Sequence, residues 1–260
     1  MCGRFTLTIN PADLQDAFSG YFNVPSDVHP YLQPRYNIAP SNRVAVVTNS
    51  GNKRLELFRW GLIPSWASLP KKSSSNEIVS EAGINSANIP DIGNRLINAR
   101  SETLDQKPSF RTAYRKQRCL ILADGFYEWS FNEQKNRKIP YFFYLKESNP
   151  ETQQPRRPFA FAGLWDRWVR RVDGVEFYTC TIITTTPNDV IAPFHGRMPV
   201  ILPPESYDEW LSPTERRMKS DEDKLLIPYT ASKMAQHPVS WHVNNTTNDD
   251  ESCIKEYDIS

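Results

Sequence analysis

The chain has 260 residues, 39% of them apolar and 12% aromatic, and its 31 basic and 30 acidic side chains leave a net charge of +1. That length supports one sizeable core, and so small a net charge does not mark the whole chain as a nucleic-acid binder. No apolar run approaches the roughly 18 residues a membrane span needs, and no basic-then-apolar opening marks a secretory signal; a soluble, cytoplasmic protein is expected.

In chain order, Pro11 to Phe18 reads as a short helix with Asn10 as N-cap and Pro11 at its first position. Tyr36 to Pro40 is extended and ends in a turn. Arg43 to Thr48 and Leu55 to Trp60 read as strands around the turn Asn49-Ser50-Gly51-Asn52. Residues 69–91 are polar and serine-rich without a clear period, the pattern of a loop insertion. Ser101 to Tyr114 is expected to be helical, although it contains Pro108. Strands follow at about Cys119–Ala123, Tyr141–Leu145, Phe159–Leu164, Phe177–Thr184 and Val200–Leu202, then a short helix at Glu205–Leu211 and a last strand at His237–Val243. With 21 prolines against ten glycines and no alternation of strand and helix, the expected fold is α+β. It is a single β-rich, mostly antiparallel domain over residues 1–260, with a barrel-like core and peripheral short helices.

The four cysteines are Cys2, Cys119, Cys180 and Cys253. None forms a C-x-x-C pair, so no metal and no other cofactor is expected. Cys119 and Cys180 sit in apolar, strand-like runs and read as buried, inert thiols. Cys2 is different, because removal of Met1 makes it the N-terminus. It then carries a thiol of pKa about 8.5 and an α-amine of about 7.7–8.0 on one Cα. At neutral pH such an amine has a far larger free-base fraction than a lysine at about 10.4, so it forms imines readily. The thiol can then close on the imine carbon to give a thiazolidine with an aldehyde. Read alone, most second-position cysteines carry no chemistry at all. Basic residues gather between Arg95 and Arg118, with Arg111 among them, and an acidic tail runs from Asp249. A polyanion partner and a plain solvated surface both fit that distribution.

Six blocks in order carry a more specific signal. They are Met1-Cys2-Gly3-Arg4-Phe5, Arg35-Tyr36-Asn37-Ile38-Ala39-Pro40, Arg59-Trp60-Gly61-Leu62-Ile63-Pro64-Ser65-Trp66, Ile97-Asn98-Ala99-Arg100-Ser101-Glu102-Thr103, Ala123-Asp124-Gly125-Phe126-Tyr127-Glu128-Trp129 and His195-Gly196-Arg197-Met198-Pro199-Val200. Together they resemble the SOS-response-associated peptidase (SRAP) domain family, the abasic-site-processing proteins. The resemblance implies covalent capture of abasic sites in single-stranded DNA by the N-terminal Cys2 through a thiazolidine, with AP lyase chemistry and self-processing peptidase activity as further implied properties.

By the same resemblance, Glu128 assists the crosslink by proton transfer. His195 acts as general acid–base on the sugar, and Asn98 positions Cys2 or the sugar. Arg4, Arg100 and Arg197 correspond to arginines that hold phosphates, with Arg111 added from the basic run. Trp66 and Trp129 are candidates for base stacking, Pro40 for an apolar wedge, and Ser101 and Thr184 for hydrogen bonds to phosphate. A monomer, associated with the nucleoid when on damaged DNA and needing neither metal nor membrane, is the expectation. Two other classes remain open. One is an N-terminal-cysteine amidotransferase, whose family also begins Met-Cys-Gly. The other is a noncovalent single-strand-binding module.

Overall fold

A computed structural model of the chain describes residues 2–69, 89–132, 136–146, 156–216 and 224–259. Its strands are β1 (Phe5–Leu7), β2 (Arg35–Ile38), β3 (Arg43–Thr48), β4 (Leu55–Trp60), β5 (Asn98–Arg100), β6 (Arg118–Ala123) and β7 (Gly125–Asn132). They continue with β8 (Arg137–Lys146), β9 (Arg156–Arg157), β10 (Phe159–Val169), β11 (Glu176–Thr185), β12 (Met198–Pro199), β13 (Ile201–Leu202) and β14 (Met234–Pro238). The helices are short: α1 (Leu14–Ala17), α2 (Ile92–Arg95), α3 (Pro108–Lys116) and α4 (Tyr207–Trp210). Among the described residues no helix is long and apolar enough to cross a membrane.

Two sheets share one core. In the first, β4, β3, β6, β10 and β11 pair in turn, and β11 returns to β4, closing a five-stranded barrel. The β11–β4 and β11–β5 pairs are parallel and the others antiparallel. Every residue of β6 is buried, which is why Cys119–Ala123 reads as an unbroken apolar run rather than an alternating one. The second sheet runs β14-β8-β7-β1-β2. The rings of Phe5 and Phe126 in this sheet meet Phe161 of the barrel at centroid separations of 5.7 and 6.1 Å, and Phe5 meets Trp60 at 5.1 Å. The N-terminal strand is thus threaded into the middle of the molecule, and Cys119 and Cys180 are both fully buried.

The β1–β7 pair is close because of Gly125. A Cβ there would lie 2.1 Å from Phe142 Cζ and 3.0 Å from Thr6 Oγ1. The neighbouring Asp124 accepts hydrogen bonds from the Thr6 hydroxyl and from the Thr8 amide and hydroxyl. It therefore ties the start of β7 to β1 and keeps Gly3, the neighbour of Cys2, opposite Glu128.

Several elements differ from expectation. The chain turns through residues 11–13, with Asn10 Oδ1 accepting from the Ala12 amide at 3.2 Å, and only Leu14–Ala17 is α-helical. The helix expected over 101–114 splits into a 3-10 turn at Ser101–Thr103 and α3, which begins at Pro108. Proline has no amide to give a helix interior and suits the first helical position. The last strand is Met234–Pro238, after which Ser240 caps a 3-10 turn at Trp241–Asn244 by accepting from the His242 amide. The acidic stretch is no loose tail. Asp249 accepts from the Tyr36 and Asn37 amides at 2.6 and 2.9 Å and from Arg35 Nε, docking this segment on β2. The expected insertion falls largely on residues 70–88, outside the described residues.

Candidate functional site

The start of β1, the middle of β7, the short β5 and the loop after β11 converge at one end of the two sheets. The β1–β7 register pairs Phe5 with Phe126 and Thr6 with Gly125, and the Tyr127 amide donates to the Arg4 carbonyl at 3.0 Å. Continued outward, that register sets Gly3 opposite Glu128. From β5, Asn98 Nδ2 donates to the Cys2 carbonyl at 2.8 Å. Asn98 Oδ1 is buried and has no hydrogen-bond partner among the described residues, an unmet acceptor that a bound group would satisfy.

The loop from β11 to β12 carries His195. It is held by an Asn188 turn, in which Oδ1 accepts from the Val190 and Ile191 amides at 3.2 and 3.1 Å, and by the fully buried Ile191. His195 Nδ1 lies 2.9 Å from the Arg197 amide nitrogen and 3.2 Å from the Arg197 carbonyl oxygen. A neutral ring accepts from the amide and keeps its proton on Nε2; a protonated ring donates to the carbonyl. Either protonation state therefore has a partner, which suits a group that gains and loses a proton.

Electrostatics separate the titrating groups. Burial raises the Glu128 carboxyl above its usual range, opposed by the amino-terminal charge and Lys138. Burial lowers His195, helped by the amino-terminal charge, Arg197 and Lys138 and opposed by its hydrogen bond to Arg197. The Cys2 thiol is fully buried, and burial together with Glu128 pushes it up. Near neutral pH the site thus holds a protonated thiol and a neutral imidazole, beside a carboxyl that burial makes easier to protonate than an exposed one.

Glu128 and His195 border an open groove of about 760 Å³, lined also by Arg4, Trp129, Phe131, Lys138, Phe194 and Asn244. Trp129 is anchored by donation from Nε1 to Asn244 Oδ1 at 2.8 Å, and Phe194 packs on Tyr141 and Phe143. Phe131, Lys138, Phe194 and Asn244 escape a sequence reading. Phe131 and Lys138 face each other across the β7–β8 pair, so a polar stretch between two aromatic runs, here Asn132 to Asn136, was the available hairpin signal.

The other sequence candidates separate clearly. Arg4 lines the groove, but its guanidinium donates to Asn37 Oδ1 at 2.7 Å and to the Val243 and Asn244 carbonyls at 2.8 and 3.2 Å. Arg197 is paired with both Glu102 carboxylate oxygens and donates to the Thr184 carbonyl. Arg100 is exposed and shares the face of β5 that carries Asn98, since alternate strand residues point the same way. Arg111 is exposed on α3. Ser101 and Thr184 are buried, and the Thr184 hydroxyl donates to the Ala99 carbonyl at 3.4 Å, so neither presents its hydroxyl to solvent. Pro40 is half-buried beside Ser41, whose φ is +75°. Trp66 is 56% exposed but lies outside the groove lining. Its neighbours hold to β10, where the Ser65 amide donates to Asp166 and the Ala67 carbonyl accepts from Trp168.

A separate trio, His242, Asp250 and Cys253, brings metal-ligand atoms within 4.8 Å of one another. His242 Nε2 is already 2.9 Å from Asp250 Oδ2, and the Asp250 carboxylate also accepts from the Ser252 amide. These contacts fold the C-terminal segment.

Known proteins give a consistent picture. The chain is 40% identical to the abasic site processing protein YoqW of Bacillus subtilis, covering 99% of this chain and 100% of that one. It is 30% identical to the abasic site processing protein HMCES of Xenopus tropicalis, covering 98% of this chain and 78% of that one. A crystal structure of a protein from Bacteroides thetaiotaomicron superposes with a TM-score of 0.76 at 26% identity, covering 98% of this chain and all of the other. The family model described as SOS response associated peptidase (SRAP) matches residues 1–246, and the chain belongs to that family.

Proposed function

We propose that this protein captures abasic sites in single-stranded DNA covalently, through Cys2 once Met1 has been removed. The observation that carries the reading is Glu128 and His195 lining one groove, with Cys2 close enough to feel the charge of Glu128 and its carbonyl held by Asn98, in a chain whose relatives are abasic site processing proteins.

The ring-opened abasic sugar exposes an aldehyde at C1′. His195, neutral under these conditions, takes the proton of the C1′ hydroxyl as the furanose opens, and a proton is returned to the ring oxygen. The Cys2 amine then adds to C1′, and Glu128 in its acid form protonates the departing oxygen, so that water leaves as the iminium forms. Cys2 Sγ adds to the iminium carbon, and the carboxylate left on Glu128 takes the thiol proton. Aldehyde, amine and thiol thereby become thiazolidine and one water. The buried thiol sets the order of steps: amine first, sulfur second. The iminium also acidifies the C2′ protons, and loss of one with departure of the 3′ phosphate is the lyase branch. Self-processing would release Met1 from Cys2, for which ordinary aminopeptidase action is the simpler route.

The test is incubation with a single-stranded oligonucleotide bearing one abasic site, followed by a denaturing gel. A slowly migrating covalent species is expected for the wild type. It should vanish in Cys2→Ala and in protein that retains Met1, and its persistence in either overturns the mechanism.

A further inference from the structure

Among the described residues, a guanidinium and an ammonium line the groove, those of Arg4 and Lys138, and they differ in what they are free to do. Every guanidinium contact of Arg4 described above serves to hold β1, Asn37 and the carbonyls of Val243 and Asn244 together. Breaking them to reach a phosphate would leave Asn37 and two carbonyls short of a donor. Lys138 is exposed, and among the described residues no hydrogen bond or ion pair engages its ammonium. Its main chain, by contrast, is well held. The Lys138 carbonyl accepts from Trp241 Nε1 at 2.8 Å, Arg137 stacks on the same indole at 3.6 Å, and β8 pairs Lys138 with Phe131.

We infer that the ammonium of Lys138 binds a phosphate of the DNA strand in this groove, next to the sugar presented to Glu128 and His195. The inference rests on the reading that the groove receives single-stranded DNA. The surroundings suit a phosphate. Phe131, 55% exposed on the partner strand, gives an adjoining base a ring to lie against.

Occupancy also acts on the chemistry. The charge of Lys138 holds down the pKa of both Glu128 and His195. A phosphate on Lys138 offsets that charge, so strand binding favours the acid form of Glu128 that protonates the departing oxygen. An empty groove leaves that carboxyl less ready.

The experiment separates binding from capture by using a single-stranded oligonucleotide with a tetrahydrofuran abasic analogue, which has no aldehyde. Fluorescence anisotropy is followed across a salt series for the wild type, Lys138→Met and Lys138→Arg. The methionine variant is expected to bind about three- to tenfold more weakly. Its plot of log affinity against log salt should be shallower by about 0.7, the loss of one phosphate contact on a single strand. The arginine variant should restore both, and the melting temperatures should agree. A Lys138→Met protein with wild-type affinity and slope, in a preparation whose wild type forms the crosslink, overturns the Lys138 assignment alone. A wild type that neither binds nor crosslinks overturns the functional reading and the inference together.

Discussion

At Glu128, burial and nearby positive charge act in opposite directions, and burial prevails. A carboxyl whose folded pKa lies above its ordinary value of about 4.3 favours the native state most below that ordinary value. The contribution is lost as pH rises through the raised value, because the native state then releases a proton it had held more tightly than the unfolded chain did. Glu128→Gln removes the dependence. Its melting temperature relative to wild type should therefore improve as pH rises from about 4 through the raised value, while crosslinking at neutral pH slows. Thermal melts across pH and a timed gel check both, and an unchanged crosslinking rate would remove Glu128 from the chemistry. The apolar flank of this residue was legible from Tyr127 and Trp129. Its place opposite Gly3 was not, because cross-strand register depends on a strand more than 100 residues away in sequence.

The C-terminal segment shows the limits of reading an element from charge alone. A run of acids ordinarily reads as solvated surface, yet Asp249 serves the main chain of β2, and Asn37 donates to the carbonyls of Val243, Asn245 and Asn248. This segment also carries Asn244, which anchors Trp129 at the groove. Asp249→Ala should lower stability by about 1–3 kcal/mol, the cost of leaving buried donors without an acceptor. It should also speed hydrogen exchange over residues 242–256, and exchange identical to wild type would refute the docking role. Strands β3 and β4 were legible to the residue, because apolar side chains cluster between clear turn residues. The strand expected at 237–243 was misplaced because Pro238 and the capping Ser240 end the pairing earlier than hydrophobicity suggests.

Across the whole molecule, β1 lies between β7 and β2 while Phe5 packs against barrel residues. Barrel and second sheet therefore bury a common surface, and neither can open without exposing the other. Thermal unfolding should be a single transition, with tryptophan fluorescence and far-ultraviolet circular dichroism giving coincident curves; two separated transitions would show that the sheets are independent units. The same threading buries Cys2 and brings its carbonyl to Asn98 of β5. By itself the sequence determined the chemistry available at Cys2, the β-rich class, most strand segments and the set of blocks that marks the family, since these depend on residue type and local pattern. Only the tertiary structure decided that the Cys2 thiol is buried, that Arg4 and Arg197 are already bonded, that Trp66 stands outside the groove and that Lys138 has no hydrogen-bond or ion-pair partner among the described residues. Burial and hydrogen-bond partnership are set by residues brought together from distant parts of the chain, as Arg4 is with Val243.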